Sequence, residues 1–257
     1  MGAPMLAALL RAGISAKGFD IRPPGDFGPL ASHITNDTRG FAQDLTTLIT
    51  VVRDIPQTED VLFGAQCLTN AKPLRRIILC STLSPRYVLD LRARIADHIT
   101  LIDAPMSGAQ IAAEEARLSF MLGGAEADLD AAQPLFDAMG QHMFRMGPFG
   151  AGMQAKVLNN LLAAANTAMT RLVLNWADTT ALNPDRLLDL IHASSGQNWF
   201  ASGFNSIEFA RDGHAPDNTI AILVKDIDSA LDAAPDHADT TLPRAVQTLL
   251  RQLTPRP

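Results

Sequence analysis

Apolar residues fall along this chain in two different rhythms. Up to about residue 147, short apolar runs recur: Leu48-Ile49-Thr50-Val51-Val52, Ile77-Ile78-Leu79-Cys80, Leu101-Ile102 and the stretch 117–122. Each is continuous and does not alternate with polar residues, which predicts strands buried on both faces, as in a parallel sheet covered by helices. Shorter strands are predicted over 15–20, around 33–35 and over 142–146. Between the strands, helical spacing marks 2–12, with Pro4 in its first turn and Gly13 as its stop, then 57–63, 85–99 and 127–139. After Gly147 the strand-like runs end. From Met153 to about Leu182 neither Pro nor Gly interrupts an Ala- and Leu-rich run, which predicts one long helix. Further helices are predicted over 184–193 behind an Asn183 cap, and over 205–211, 218–234 and 242–253. The pattern predicts an α/β Rossmann-type part, residues 1–147, followed by an all-helical part, residues 148–257.

A length of 257 residues suits one large or two modest domains. The net charge of −6, with no basic cluster beyond Arg75-Arg76, argues against nucleic acid as a partner. The six His are scattered and make no His-x-x-x-His pair, so no metal is expected. Cys67 and Cys80 lack metal-type spacing and read as reduced residues of a cytosolic protein. No apolar run is long enough to span a membrane and the N-terminus has no secretory pattern, so the expectation is a cytoplasmic protein without a membrane partner.

In a doubly wound sheet, ligands sit outside the carboxyl ends of the strands. Four such loops carry small or polar residues: Asp20, Val52-Arg53-Asp54, Ser81-Thr82 and Asp103-Ala104-Pro105-Met106-Ser107-Gly108. Each alone also reads as a surface turn. Asp20 lies 18 residues after Gly2, about the distance from the third Gly of a dinucleotide fingerprint to the acid that binds the ribose. Further on, Gly150 and Gly152 precede the long helix and let another backbone, or a ligand, approach its start. Lys156 and Asn160 are four apart and share a helical face. A Lys with apolar flanks and an amide one turn away can have a lowered pKa and act as acid or base, although on spacing alone a solvated Lys is the plainer reading. The long apolar helix is expected to bury itself against a partner subunit in a homo-oligomer, a dimer or tetramer, or within its own domain.

These residues resemble the β-hydroxyacid dehydrogenase family, which includes 3-hydroxyisobutyrate dehydrogenase, tartronate semialdehyde reductase and L-threonate dehydrogenase. Met1-Gly2-Ala3-Pro4-Met5 is similar to the end of the family's glycine-rich opening. Ser81-Thr82-Leu83-Ser84-Pro85 is similar to its cofactor loop, and 103–108 to its Asp-Ala-Pro-Val-Ser-Gly substrate loop. Residues 150–160 match Gly-x-Gly-x-x-x-Lys-x-x-Asn-Asn, and Val224-Lys225-Asp226-Ile227 matches a later Lys-Asp-Leu. The run Ser195-Gly196-Gln197-Asn198-Trp199 leans toward the threonate dehydrogenase branch. The resemblance implies an NAD(P)-dependent oxidoreductase that interconverts a small hydroxy acid and its carbonyl form. It makes Lys156 the general acid/base, with Ser107 and Gly108 on the substrate carboxylate and Asn160 on the hydroxyl. Gly2, Asp20, Arg22, Val52, Arg53, Thr82 and Lys225 are the implied cofactor contacts. An acid at position 20 favours NAD, while Arg22 leaves NADP possible. Imine-reducing members lack the Lys, so its presence implies alcohol and carbonyl chemistry.

The chain departs from the family at its front, where it starts at the third Gly of the fingerprint. The first, central strand is then missing, and the strands ending near Asp20 and Val52 are expected to face a gap. Each buried N–H or C=O left unpaired there costs roughly 1–3 kcal/mol. Two readings follow: an N-terminally truncated dehydrogenase, or a cofactor-free pseudoenzyme or scaffold that lost its dinucleotide site with the strand. Smaller departures are Ala109, Ala112 and Ala116, where the family tends to have Gly, and Arg53 beside Val52.

Overall fold

The structure, a computed structural model, describes residues 1–256. The chain forms two compact units, Met1–Lys156 and the residues from Val157 onward. The first contains α1 (Gly2–Arg11), β1 (Gly18–Phe19), β2 (Ile34–Thr35), α2 (Thr38–Ala42), β3 (Thr47–Thr50), α3 (Ile55–Leu62) and β4 (Arg76–Leu79). Then follow α4 (Pro85–Arg94), β5 (Thr100–Asp103), β6 (Met106–Ser107), α5 (Ala109–Glu114), β7 (Leu118–Gly123), α6 (Glu126–Met139) and β8 (Gly140–Gly147). The helix α7 (Ala151–Thr179) begins in this unit and continues into the second.

Strands β3, β4 and β5 are parallel neighbours in register, Leu48 beside Ile77 beside Leu101. Alternate side chains leave this sheet on opposite faces and both faces are covered. Ile78, Ile102 and Phe120 pack with Met5, Ala8 and Leu9 of α1 and with Phe136 of α6. Ile77, Leu79 and Leu101 pack with Leu62, Val88 and Leu91 of α3 and α4. Burial on both sides is why these strands read as unbroken apolar runs.

The expectation of a wholly parallel sheet needs correction. Strand β7 runs antiparallel to β5 and β6, and parallel to β8. The segment between β5 and β7 folds back as β6 and a six-residue helix instead of a long covering helix, so the chain returns antiparallel. A second sheet holds only β1 and β2, paired in parallel through Gly18 with Ile34 and Phe19 with Thr35. Among the described residues β1 and β3 are not paired, and β3 forms the edge of the larger sheet. The strand read over 15–20 shortens to two residues for want of a neighbour on its other side. Cys67 and Cys80 are free, and burial pushes the Cys80 thiol up to about 12.

The second unit is helical: the rest of α7, then α8 (Pro184–His192), α9 (Trp199–Ser202), α10 (Thr219–Asp232) and α11 (Thr241–Arg251). Ala164 and Ala168 of α7 pack with Ile220, Leu223, Val224 and Ile227 of α10 and Leu250 of α11. Asn183, Asn198 and Asn218 cap α8, α9 and α10 through side-chain oxygens that accept backbone N–H groups. The helix read over 205–211 is a series of turns instead, which seats Phe204 and Ala210 against Phe200. No helix among the described residues is long and apolar enough to cross a membrane.

Candidate functional site

The start of α7 is pinned to the carboxyl end of β5. Asp103, at the end of that strand, is fully buried and accepts hydrogen bonds from the Gly150 N–H at 2.6 Å and the Met153 N–H at 2.5 Å. Burial pushes its carboxyl above the usual carboxylate range, against the pull of those backbone donors. Of the two glycines foreseen before the helix, Gly152 is needed for a close backbone approach, whereas a Cβ on Gly150, at φ 96°, would meet the Leu89 side chain at 2.7 Å. A Cβ on Gly152 would lie 2.2 Å from the Met121 carbonyl oxygen, and one on Gly123 would lie 2.1 Å from the Asp103 carboxylate. A second tie comes from the loop after β4, where the Leu83 N–H donates to the Met153 sulfur at 3.3 Å. The helix therefore leaves the sheet with its first turns fixed by β5, β7 and the Ser81-Thr82 loop.

Lys156 follows one turn later. Its side chain is buried, 7% exposed, and its ammonium donates to Ser107 Oγ at 2.9 Å. Ser107 stands on β6, held in register against Ser119 of β7. Gly108 follows with φ 135°, a left-handed conformation in which a Cβ would strike Ala112 at 2.6 Å. Ser107 and Gly108 also line an open cavity of about 370 Å³ with Ala112, Arg117, Ser119 and His142.

Within the second unit, the Asn160 side-chain amide donates to Asp226 Oδ2 at 2.5 Å. Lys225 lies beside it, its ammonium 3.0 Å from Asp226 Oδ1. Asp226 is 2% exposed, so a buried carboxylate joins two of the residues foreseen as site residues.

Of the residues foreseen as cofactor contacts, Asp20, Arg22, Val52, Arg53 and Thr82 follow the carboxyl ends of strands, whereas Gly2 opens α1 and Lys225 lies within α10. Asp20 follows β1, and its carboxylate accepts from the Arg22 backbone N–H at 3.0 Å and from the Arg22 guanidinium at 3.1 Å. Burial raises the Asp20 carboxyl, but the Arg22 side chain and backbone outweigh it and hold the group below its ordinary value. Gly2 opens α1 facing Val51, whose Cβ would be 3.7 Å from an added Cβ. Val52 is half-buried after β3, and the Arg53 N–H donates to Gln57 Oε1 at 3.0 Å, which ties this loop to α3. Thr82 is half-buried in the loop after β4. Beside it Ser81 Oγ is buried and has no hydrogen-bond partner among the described residues. Among those residues no group of three His, Cys, Asp or Glu is placed to hold a metal.

Two groups with clear roles carried none in the sequence reading: Asp103, which caps α7, and Asp226. Both were visible in principle. Asp103 ends its strand directly after the apolar pair Leu101-Ile102. Asp226 sits three after Leu223 and four before Ala230, on the face that α10 gives to the core.

Comparison with known proteins places this geometry. Residues 1–147 match the family described as the NAD-binding domain of 6-phosphogluconate dehydrogenase. Residues 150–255 match the family described as NAD-binding of NADP-dependent 3-hydroxyisobutyrate dehydrogenase. An NAD-dependent L-serine dehydrogenase of Pseudomonas aeruginosa is 29% identical over 94% of this chain and 84% of its own length. The 3-hydroxyisobutyrate dehydrogenase of the same organism is 30% identical over 90% of this chain and 81% of its own. An L-threonate dehydrogenase of Cupriavidus necator is 30% identical over 95% and 83%. Among solved structures, the Mycobacterium tuberculosis 3-hydroxyisobutyrate dehydrogenase with L-serine superposes with a TM-score of 0.80 at 25% identity, covering 99% of this chain and 92% of that one. None of these relatives supports the cofactor-free scaffold.

Proposed function

The chain belongs to the β-hydroxyacid dehydrogenase family and is an NAD(P)-dependent oxidoreductase; we propose that it interconverts a small hydroxy acid and its carbonyl form with Lys156 as general acid/base. The observation that carries this reading is the Lys156 to Ser107 hydrogen bond at 2.9 Å, made by a Lys that is 7% exposed. A solvated Lys has no reason to leave water for a serine hydroxyl. The relatives' names, dehydrogenases of L-serine, 3-hydroxyisobutyrate and L-threonate, supply the substrate class: a hydroxyl on a short carbon chain that ends in a carboxylate.

The residues present fit a dinucleotide. The unpartnered Ser81 hydroxyl and half-buried Thr82 lie where such a ligand is bound in a doubly wound sheet. Gly2, Asp20, Arg22, Val52, Arg53, Thr82 and Lys225 are the residues we assign to holding it. We take NAD as the preferred form, because Asp20 repels a 2′-phosphate, with NADP admitted by Arg22. When bound, the nicotinamide supplies the hydride acceptor or donor. The protein's part is the proton and the geometry. Ser107 and Gly108 anchor the carboxylate through the hydroxyl and a backbone N–H, and Asn160 holds the hydroxyl. In oxidation, neutral Lys156 takes the hydroxyl proton as the C–H hydride departs. In reduction, its ammonium returns that proton to the carbonyl oxygen. Ser107, already bonded to the Lys156 nitrogen, fixes where that nitrogen points.

The test is NAD reduction with L-threonate, D-glycerate, L-serine and 3-hydroxyisobutyrate at alkaline pH. Lys156→Ala is expected to lower kcat by about 10²–10⁴-fold with a melting temperature close to the parent's. A variant as active as the parent ends the assignment.

We assign homo-oligomer formation to α7, where Leu158, Leu162, Met169 and Trp176 are exposed and recur at intervals of four and seven residues on one stripe. Leu162→Glu is expected to convert a dimer or tetramer to monomer in light scattering. A parent that is already monomeric overturns this assignment.

A further inference from the structure

We infer that the cavity beside Ser107 and Gly108 takes a second acidic group of the substrate, carried on the carbon next to the anchored carboxylate, and that Arg117 selects it. The inference rests on the proposed reading of Ser107 and Gly108 as the carboxylate anchors. Both residues line the cavity of about 370 Å³, so a carboxylate held by them stands at its wall. Strand register sets what lies beyond that wall. Ser107 of β6 is opposite Ser119 of β7, and Ser119 is opposite His142 of β8. Registered neighbours share a sheet face, and successive strands are about 5 Å apart. A substituent on the carbon next to the anchored carboxylate therefore reaches Ser119, and a longer one reaches His142.

The chemistry of this lining is one-sided. Ser119, Gln141 and His142 can each donate a hydrogen bond, and the Arg117 guanidinium can only donate. Among the described residues no acidic side chain lines the cavity. A methyl substituent would set these donors against apolar carbon, whereas an anion would use them. Arg117 is meanwhile engaged from outside the cavity lining: its Nε donates to a Glu115 carboxylate oxygen at 2.7 Å, and a second guanidinium nitrogen reaches the same oxygen. The two side chains are 52% and 48% exposed. Ion pairs so exposed contribute little, so an arriving anion recruits the guanidinium against little resistance. Glu115 then competes with the substrate for Arg117, and the two residues act in opposite directions on the same choice.

The test uses the full chain and a matched set of hydroxy acids. 3-Hydroxyisobutyrate carries a methyl on the carbon next to its carboxylate; hydroxymethylmalonate carries a carboxylate there and 2-phosphoglycerate a phosphate. The readout is the kcat/KM of each acidic member divided by that of the methyl member, a ratio that cancels any general loss of folded enzyme. It is expected to be about tenfold in the parent for the acidic group that fits, and the larger of the two ratios tells carboxylate from phosphate. Arg117→Gln should lower it about tenfold, and Arg117→Lys, which keeps the charge without the planar fork, about threefold. Glu115→Gln should raise it about threefold. Ratios at or below one for both acids, a ratio in Arg117→Gln equal to the parent's, or a fall in Glu115→Gln matching that in Arg117→Gln would each overturn the inference. Calorimetric titration with malonate and with isobutyrate reads the cavity without turnover. Should the parent oxidise no hydroxy acid, the proposed function falls; tighter binding of malonate that is lost in Arg117→Gln would still uphold the acidic subsite, and equal binding of the two would overturn it.

Discussion

Strands β4 and β5 each bury three of four residues, while β1 has only Gly18 and Phe19, both half-buried and paired with β2 alone. The residues proposed for the chemistry hang on the first kind of support. Ser107 is one turn of chain beyond β5, and Lys156 is carried by a helix whose start is bonded to Asp103 at the end of that strand. The pair proposed for the nucleotide's ribose, Asp20 and Arg22, hangs on the second kind. A site that must place a proton within hydrogen-bond reach needs a rigid mount, whereas recognition of a ribose tolerates adjustment. The fold spends its packing where the proton is moved.

The largest effect is expected from breaking the rigid mount. Asp103→Ala strips the acceptor from two buried N–H groups and should cost about 3–5 kcal/mol, read by denaturant unfolding. Because α7 then loses its anchor, Lys156 should leave Ser107 and activity should go with it. Asp103→Asn keeps one acceptor oxygen and should cost less. The pH dependence has a definite sign. Burial raises the native carboxyl above its unfolded value, so the folded chain binds the proton more tightly. The stability this contributes is complete below the ordinary carboxylate pKa and is lost as pH rises through the raised native value. The stability of the parent relative to Asp103→Asn should therefore grow as pH is lowered through that window. A difference that shrinks on acidification sinks this account.

A smaller effect sharpens the same contrast inside the substrate loop. Ala109 and Ala116 both sit at φ 54°, a left-handed conformation that a Cβ disfavours. The sequence reading noted them as departures from Gly; the backbone shows that they strain the chain there. Ala109→Gly and Ala116→Gly should each raise stability by about 0.5–1 kcal/mol, less than the strain itself because Gly loses more chain entropy. Thermal unfolding of the two variants measures it, and a lower melting temperature for both would refute the strain.

Much of this organisation was legible in the sequence, for reasons that differ by region. The runs at 76–81 and 100–103 announced strands because both sheet faces are buried, so no alternation had to be decoded. The long helix was plain from 30 residues free of Pro and Gly. By contrast β6 is two residues long and α5 six, too short for any periodicity, and with them the antiparallel return of β7 stayed hidden. The turns after Phe204 passed for a helix because Ile207, Ala210 and Arg211 happen to be helically spaced. Lys156 and Asn160 were given roles by motif, while Asp103 and Asp226 stood in the quoted motifs without one. An Asp at a strand end or within a helix is ordinarily on the surface, and the packing shows that Asp103 and Asp226 are not.

The smallest effect is expected on the lightly mounted side. Arg22 is exposed, reaches Asp20 and lies over the Phe27 ring at 4.5 Å. Exposed ion pairs contribute little to folding, so Arg22→Ala should leave the melting temperature unchanged. Its effect belongs to the cofactor. With Arg22 gone, the Asp20 carboxylate loses the guanidinium that offsets its charge, and repulsion of a 2′-phosphate should increase. Dissociation constants from fluorescence titration are expected to rise about threefold for the phosphorylated dinucleotide and to stay within about 1.5-fold for the other, differences below 1 kcal/mol. Equal weakening of both would mean that Arg22 supports the shape of the β1 loop and not its choice between the two cofactors. The contrast between the two mounts would then extend to specificity: the well-packed sheet would set the chemistry, and the two-residue strand would only provide a surface to bind against.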